Sequence, residues 1–464
     1  MNTRWLVLVI MLVLLAAAAA IAWLGTPRLQ EISPPDQAAD IPAGAAIRLR
    51  FSRPMQAETV AERLTLSPFR SGQVSAEGSE VIFTPDSAWQ AGETVTVSLE
   101  SGAQAAGLFQ LPLLGERSWS FTIRRPRLAY LYPFDRAANV YLTDPANGET
   151  RQLTDSQAGV LDFDIDARGE TLVYSAYVGD SGSAIYRLDL ADTEAAPLSI
   201  LDCPQALCTA PRFGPQGDFL AYERTAFPGR GAADLPQVWL LPLSAEQQPA
   251  SEPFLAGDPL HQTLEPHWSP GGLLTFYDST QEAFILLDPH SREHREITNQ
   301  TGEPGSWSPD GQAYVVPEIL DNPTTNPAPD PATFPVVSSH LMRFNLDGSI
   351  QDLTIAEDLE DTAPAYSPDG ELLAFARKYL TVALWTPGRQ LWLMRPDGTE
   401  ARQLTEQPYY NHYNFAWSPD GDRIAYSRFN QNAPTDPPEI WLIDPRSGIE
   451  TQLVIGGYAP HWIY

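Results

Sequence analysis

From Arg127 to the end of the chain, short apolar runs recur in sets, and the most regular break between them is Trp417-Ser418-Pro419-Asp420-Gly421. Similar endings stand at Trp268–Gly272, Trp307–Gly311 and Tyr366–Gly370, with weaker ones at Phe213–Gly217 and Ile165–Gly169. Behind each turn lies a second run, such as Leu220-Ala-Tyr222 or Ile424-Ala-Tyr426, then a third, such as Val238-Trp-Leu240 or Ile440-Trp-Leu442. A fourth survives as Gln152-Leu-Thr154 and Gln403-Leu-Thr405. Runs this short, bounded by Pro, Gly, Asp and Ser, predict strands. Proline fixes φ and glycine accepts positive φ, so Ser-Pro-Asp-Gly reads as a tight turn with no catalytic duty.

A four-stranded unit with apolar residues on both faces buries them by stacking radially on its neighbours, and closing the ring leaves only short, protected edges. The distance from one turn glycine to the next is that of a propeller blade or slightly more. The first unit opens at a second strand, Leu128-Ala-Tyr130, whereas Tyr458–Tyr464 reads as a first strand without its followers. Each completes the other, which predicts a seven-bladed β-propeller over residues 127–464, closed by the C-terminal strand. These repeats resemble those of TolB-type propellers over that whole stretch. TolB itself has six blades behind an α/β domain, a pattern this sequence departs from, so its envelope role is not implied.

Residues 28–124 alternate differently. Ile47-x-Leu49-x-Phe51, Val95-x-Val97-x-Leu99 and Trp119-x-Phe121-x-Ile123 place every second residue on one face, the mark of half-buried antiparallel strands. About seven such strands over this length point to a β-sandwich. Phe51-Ser-Arg-Pro-Met55, Phe83-Thr-Pro85, Gly92-Glu-Thr-Val95 and the closing Trp119–Ile123 resemble the bacterial Ig-like domain of surface-layer proteins, which implies a spacer. Ahead of it, Trp5–Leu24 is apolar and uncharged and follows Arg4. Twenty helical residues span a hydrocarbon core, so residues 1–25 predict a transmembrane anchor with a cytoplasmic N-terminus, or else a cleaved signal segment. The expected fold class is thus all-β, an Ig-like sandwich and a seven-bladed propeller, plus one N-terminal transmembrane helix. The expected location is the cell membrane, with the bulk of the chain outside.

Charge narrows the partners. Lys+Arg 29 against Asp+Glu 58 gives a net charge of −29, which excludes a nucleic-acid binder built on a basic stripe. The two cysteines, Cys203 and Cys208, read as a candidate disulfide that pins one loop, with two free thiols or a weak metal pair without further ligands as the alternatives. Asp162-Phe-Asp164-Ile-Asp166 has the spacing of a calcium loop, but its glycine is misplaced and the repeat absorbs it as a strand and turn. His267 and His461 hold equivalent repeat positions, which favours packing. No metal or other cofactor is expected.

Turns after the first and third strands of the blades are tight, whereas connections after the second and fourth are long, including Pro317–Ser339, Arg377–Arg389 and Gln407–Tyr413. Length gathered on one face suits a rigid scaffold that carries function on loops. Tyr379, Trp385, Tyr409, Tyr410, His412 and Tyr413 gather on that side as a candidate binding face, or fold back over their own blade. The expected function is an envelope-tethered scaffold presenting a propeller head to an envelope or extracellular protein or glycan. The alternative is a hydrolase or lyase acting on glycans or peptides from the propeller channel, with Asp164 and Glu265 as first candidates.

Overall fold

The computed structural model describes Met11 and residues 25–463, except 43, 88, 108, 109, 180, 181, 193, 228–233, 321–337, 355 and 357. The described residues form 36 strands and one short helix, Ala57–Ala61. They divide into two compact units, Met1–Arg125 and Pro126–Tyr464.

The first unit holds two four-stranded sheets among its described residues. One runs in the order Leu29–Ser33, Ile47–Phe51, Glu80–Pro85, Gly72–Glu77, and the other Ala38–Ile41, Arg117–Ile123, Thr94–Leu99, Leu64–Ser67. Ala38–Ile41 pairs in parallel with Arg117–Ile123, and the remaining pairs are antiparallel. The alternation seen in the sequence is the burial pattern: Ile47, Leu49 and Phe51 are buried and Arg48 and Arg50 are not. Trp89 fills the core edge-on to Phe121, with ring centroids 6.0 Å apart.

In the second unit the described strands form seven four-stranded antiparallel meanders, each paired from its first strand to its fourth. A single parallel bridge, Ser339 to Glu360, links the fifth and sixth blades. Tyr458–Ile463 pairs with Arg127–Tyr132 and supplies the first strand of blade one. An apolar cluster fills the seam between each blade and the next: Leu131, Val140 and Phe163 between blades one and two, Ile185, Phe213 and Tyr222 between two and three. Leu128, Tyr130 and Trp462 meet Ile440 and Leu442 between blades seven and one. Burying each such side chain contributes about 1.5–3 kcal/mol, so the ring is held by its seams.

The turns show why their residues recur. Ser418 Oγ donates to Asp420 Oδ1 (2.6 Å) and accepts from Arg423 N (2.9 Å), while Gly421 N donates to the Ser418 carbonyl (2.8 Å). Ser308 and Ser367 repeat this pattern. Gly421 sits at φ 73, where a side chain would be strained.

Two readings need correction. No helix among the described residues is long and apolar enough to cross a membrane, so the transmembrane helix drops out of the fold class, and the single-pass membrane location that rested on it is withdrawn. Trp5–Leu24 itself lies, apart from Met11, outside the described residues. Second, Gln407–Tyr413 is not a single connection: Tyr410, His412 and Tyr413 belong to the strand Tyr410–Trp417.

Candidate functional site

The first strand of most blades carries a register shift one turn before its aromatic, as at Leu264/His267, Thr362/Ala365, Tyr413/Ala416 and Tyr458/His461. Each leaves a residue at positive φ: Glu265, Ala363, Asn414 and Ala459, with Ala210 at the equivalent place in blade three. A bulge of this kind re-aims the neighbouring side chains. Here it lines a cavity of about 350 Å3 with Asp162, Asp164, Arg212, Asn414 and His461.

The charges in this cavity are largely engaged with one another. Arg212 donates from Nη2 to Asp162 Oδ2 (2.9 Å) and from Nη1 to the carbonyls of Phe163 (3.3 Å) and Pro211 (2.8 Å). Asp164 accepts from Phe213 N (2.8 Å), and its other oxygen lies 3.8 Å from His461 Nδ1. Burial raises the Asp164 pKa, with His461 and Arg212 opposing. His461 lines the cavity with its side chain part-exposed, and the hydration it does lose lowers its pKa, with Asp164 opposing. Burial likewise lowers His267 to about 4, so it is neutral near pH 7. Glu265, the other candidate acid, donates its backbone N–H to Glu223 Oε1 (2.6 Å) and has an exposed side chain. Arg212 and Glu223 escape sequence reading because Arg212 sits in a weak copy of the repeat. Its alignment with His267 and His461, one residue before the strand-ending aromatic, is the signal that finds it.

The six aromatic candidates separate into two groups. His412 is fully buried, its Nδ1 2.8 Å from the Arg389 carbonyl and its ring centroid 5.4 Å from that of Tyr426. Tyr413 packs edge-on to Phe429 (5.7 Å) and Tyr379 edge-on to Trp392 (6.1 Å). Tyr410 lies under Arg428, whose guanidinium carbon is 4.2 Å from its ring and 3.9 Å from Trp441. These four are part of their blades. Trp385 and Tyr409, in contrast, are 53% and 51% exposed.

They have company. Tyr177, Val178, Leu260, Val382 and Leu384 are also exposed, and all belong to the rim formed by connections after second and fourth strands. The opposite rim exposes Leu198, Ile350 and Ile449. Of the Pro317–Ser339 connection, residues 321–337 lie outside the described residues. In the strand Leu359–Tyr366, Asp361 is buried against Arg377 (two bonds of 2.7 Å), and Glu360 pairs with Arg389. Among the described residues no group of three or more His, Cys, Asp or Glu could hold a metal ion. Cys203 and Cys208 form a disulfide that joins the last strand of blade two to the first of blade three, with both residues buried.

Fold and rim together define a two-unit chain, an Ig-like sandwich followed by a β-propeller whose long-connection rim carries most of its exposed apolar side chains. Residues 25–123 match the family described as bacterial Ig-like domain. An uncharacterized protein of Agrobacterium fabrum is 23% identical over 311 residues, 64% of this chain and 94% of that protein. Among solved structures, TolB from Acinetobacter baumannii is 14% identical, with 93% of this chain and 88% of that one covered, at a TM-score of 0.43. A prolyl endopeptidase structure is 12% identical, covering 70% of this chain and 48% of that one, at a TM-score of 0.51. That likeness is one of fold.

Proposed function

We propose that the chain is a non-enzymatic binding scaffold that engages a partner through the long-connection rim of its propeller. The observation that carries this reading is the uneven exposure of apolar side chains, heavier on this rim, from Tyr177 and Leu260 to Trp385 and Tyr409, than on the opposite one, where Leu198, Ile350 and Ile449 are exposed. Exposed apolar area gathered on one face of a rigid disc costs hydration free energy that a partner recovers on docking. The groups in the channel support the same reading, since Arg212, Asp162 and Asp164 use their polar atoms mainly on each other and on the backbone. The test compares Leu260→Glu and Trp385→Glu with Ile350→Glu and Ile449→Glu on the opposite rim. Capture of a partner from extracts of the native host is expected to fall with the first pair and survive the second, and the reverse result would reject the rim.

The second reading is hydrolysis from the channel, favoured by the pairing of Asp164 and His461 at a cavity. Turnover of glycan or peptide substrates by the full chain, abolished by Asp164→Asn with the fold intact, would replace the scaffold reading.

A further inference from the structure

The long-connection rim has one corner where apolar exposure is most concentrated, at blades six and seven. Val382 is 99% exposed, with Leu384, Trp385 and Tyr409 all above half. These residues come from separate connections that the backbone ties into one surface. Leu380 N donates to the Asp358 carbonyl (2.9 Å), Gly388 N to Pro408 (2.9 Å), and Gln431 N to Tyr409 (2.8 Å). A Cβ on Gly388 would collide with the Tyr410 carbonyl, so only glycine lets these two connections touch. Leu384 N and Trp385 N both donate to the Thr381 carbonyl (3.0 and 2.8 Å), which fixes the apolar turn. The corner is thus built, and its apolar side chains point away from the fold.

Its charges are asymmetric. Every nearby cation is already engaged: Lys378 lies over the Trp385 ring at 4.9 Å, Arg377 is held by Asp361, Arg389 by Glu360 and Arg428 by Glu439 (2.9 Å). Asp358, Glu406 and Asp436, on the connections that frame the corner, make no ion pair among the described residues. An apolar patch whose adjoining connections carry three carboxylates without an ion pair among the described residues fits apolar side chains flanked by cations. Aliphatic Val382 and Leu384 beside the rings favour apolar side chains over a sugar, which would need hydrogen-bonding groups around its stacking platform.

Resting on the rim reading above, we propose that the corner formed by Val382, Leu384, Trp385 and Tyr409 docks a protein segment whose apolar anchor residues are flanked by Lys or Arg. Docking would seat the anchors against Trp385 and Tyr409 and bring the basic flanks over Asp358, Glu406 and Asp436. Steering by those carboxylates makes the affinity fall with salt.

The test uses the full chain and three fluorescent peptides that share a Leu/Phe core and carry Lys, Ser or Glu flanks, titrated by anisotropy. The Lys-flanked peptide is expected to bind at least about tenfold tighter than the Glu-flanked one, with the gap closing in high salt. Trp385→Ala with Tyr409→Ala is expected to weaken it about tenfold or more. Glu406→Gln with Asp436→Asn is expected to shrink the salt dependence while sparing the Ser-flanked peptide. All four positions are exposed or part-exposed, and an unchanged near-ultraviolet dichroism spectrum checks the fold. Equal binding of all three peptides, no binding, or binding only of a neutral oligosaccharide such as chitohexaose overturns the proposal. Lys-peptide binding that ignores Trp385→Ala but is lost with Leu260→Glu overturns the corner and keeps the rim. Loss with Ile350→Glu alone overturns both.

Discussion

Trp462 Nε1 donates to the Ala416 carbonyl at 3.0 Å, so the last strand of the chain is pinned to the first strand of blade seven as well as to blade one. The bond belongs to a set. Trp417 Nε1 reaches the Ala365 carbonyl (3.0 Å) and Trp268 Nε1 the Arg212 carbonyl (3.0 Å), each from one blade to the innermost strand of the blade before. Trp307 Nε1 instead donates to Thr275 Oγ1 (3.0 Å). The aromatic that ends a first strand thus does two things at once: it fills a seam with apolar area and satisfies a carbonyl that the bulged strand leaves open.

Trp462→Phe should remove the bond and keep most of the packing, at a cost of about 1–3 kcal/mol for the stranded carbonyl. Trp462→Ala adds a cavity against Leu128, Tyr130 and Ile440, and about 3–5 kcal/mol is expected in total. Urea denaturation of the full chain measures both. A chain stopped after Gly456 should fail to unfold cooperatively, because blade one then presents Arg127–Tyr132 as an open apolar edge.

The repeated turn makes a sharper prediction. Ser418→Ala leaves the part-buried Arg423 N–H without its acceptor, which should cost about 0.5–1.5 kcal/mol. Gly421→Ala meets nothing within 4 Å, so its cost is backbone strain alone, about 1–2 kcal/mol. Thermal unfolding of the two single variants and the double variant should show near-additive losses if the hydroxyl and the backbone act separately.

Asp361 is the most buried carboxylate of the propeller's ion pairs, and its partners span two blades. Arg377 reaches it bidentately within blade six, and Thr354 Oγ1 donates to it from blade five (2.7 Å). Removing only the guanidinium strands a desolvated charge, so Arg377→Met should destabilise by about 3–5 kcal/mol. Arg377→Met combined with Asp361→Leu should recover much of that loss in the same denaturation assay. No recovery would mean the pair contributes net stability rather than geometry.

His412 supplies the pH prediction. Burial lowers it to about 4 from an ordinary 6.5, so it is neutral in the fold over a range where the unfolded chain is protonated. Stability should therefore fall as pH drops from about 6.5 towards 4 and level off below, by up to about 3 kcal/mol from this residue. Asp164 and Glu223, raised by burial, act with the opposite sign and favour the fold at low pH. His412→Asn keeps a donor for the Arg389 carbonyl and cannot titrate, so its stability profile should lose that acid-side slope. An unchanged slope would assign it to His267 and His461 instead.

How far the sequence carries can be judged from these residues. Trp417–Gly421 announces its turn because each residue there answers a local demand: a hydroxyl for two partners, a fixed φ, a positive φ. Alternation around Leu49 and Val97 is equally local, since one face of each strand is dry. Tyr410, His412 and Tyr413 mislead because the bulge at Asn414 breaks the period of two, and polar residues facing a channel resemble a loop. Whether an aromatic is spent within its own blade, as Tyr410 is under Arg428, or left outside, as Trp385 is, depends on neighbours far along the chain. Spacing cannot show that.

The Cys203–Cys208 disulfide closes a short loop, with five residues of sequence separation, across the seam of blades two and three. Chain-entropy arguments give so small a loop about 2 kcal/mol. Both cysteines also pack with Ile185, Phe213 and Tyr222, so replacing the pair by Ala mixes lost packing with lost cross-linking. Reduction separates the two effects, because the thiols keep their volume. Reduced wild type should lose about 2 kcal/mol in urea titration, the double Ala variant somewhat more, and dithiothreitol should leave the variant unchanged. Ser183 Oγ accepts from Cys208 N (2.7 Å), a bond that does not involve the sulfur, so the connection should stay in place on reduction and binding at the far corner of the rim should be unaffected. A reductant-sensitive affinity for the Lys-flanked peptide would instead show that this seam and the corner around Trp385 are coupled through the ring.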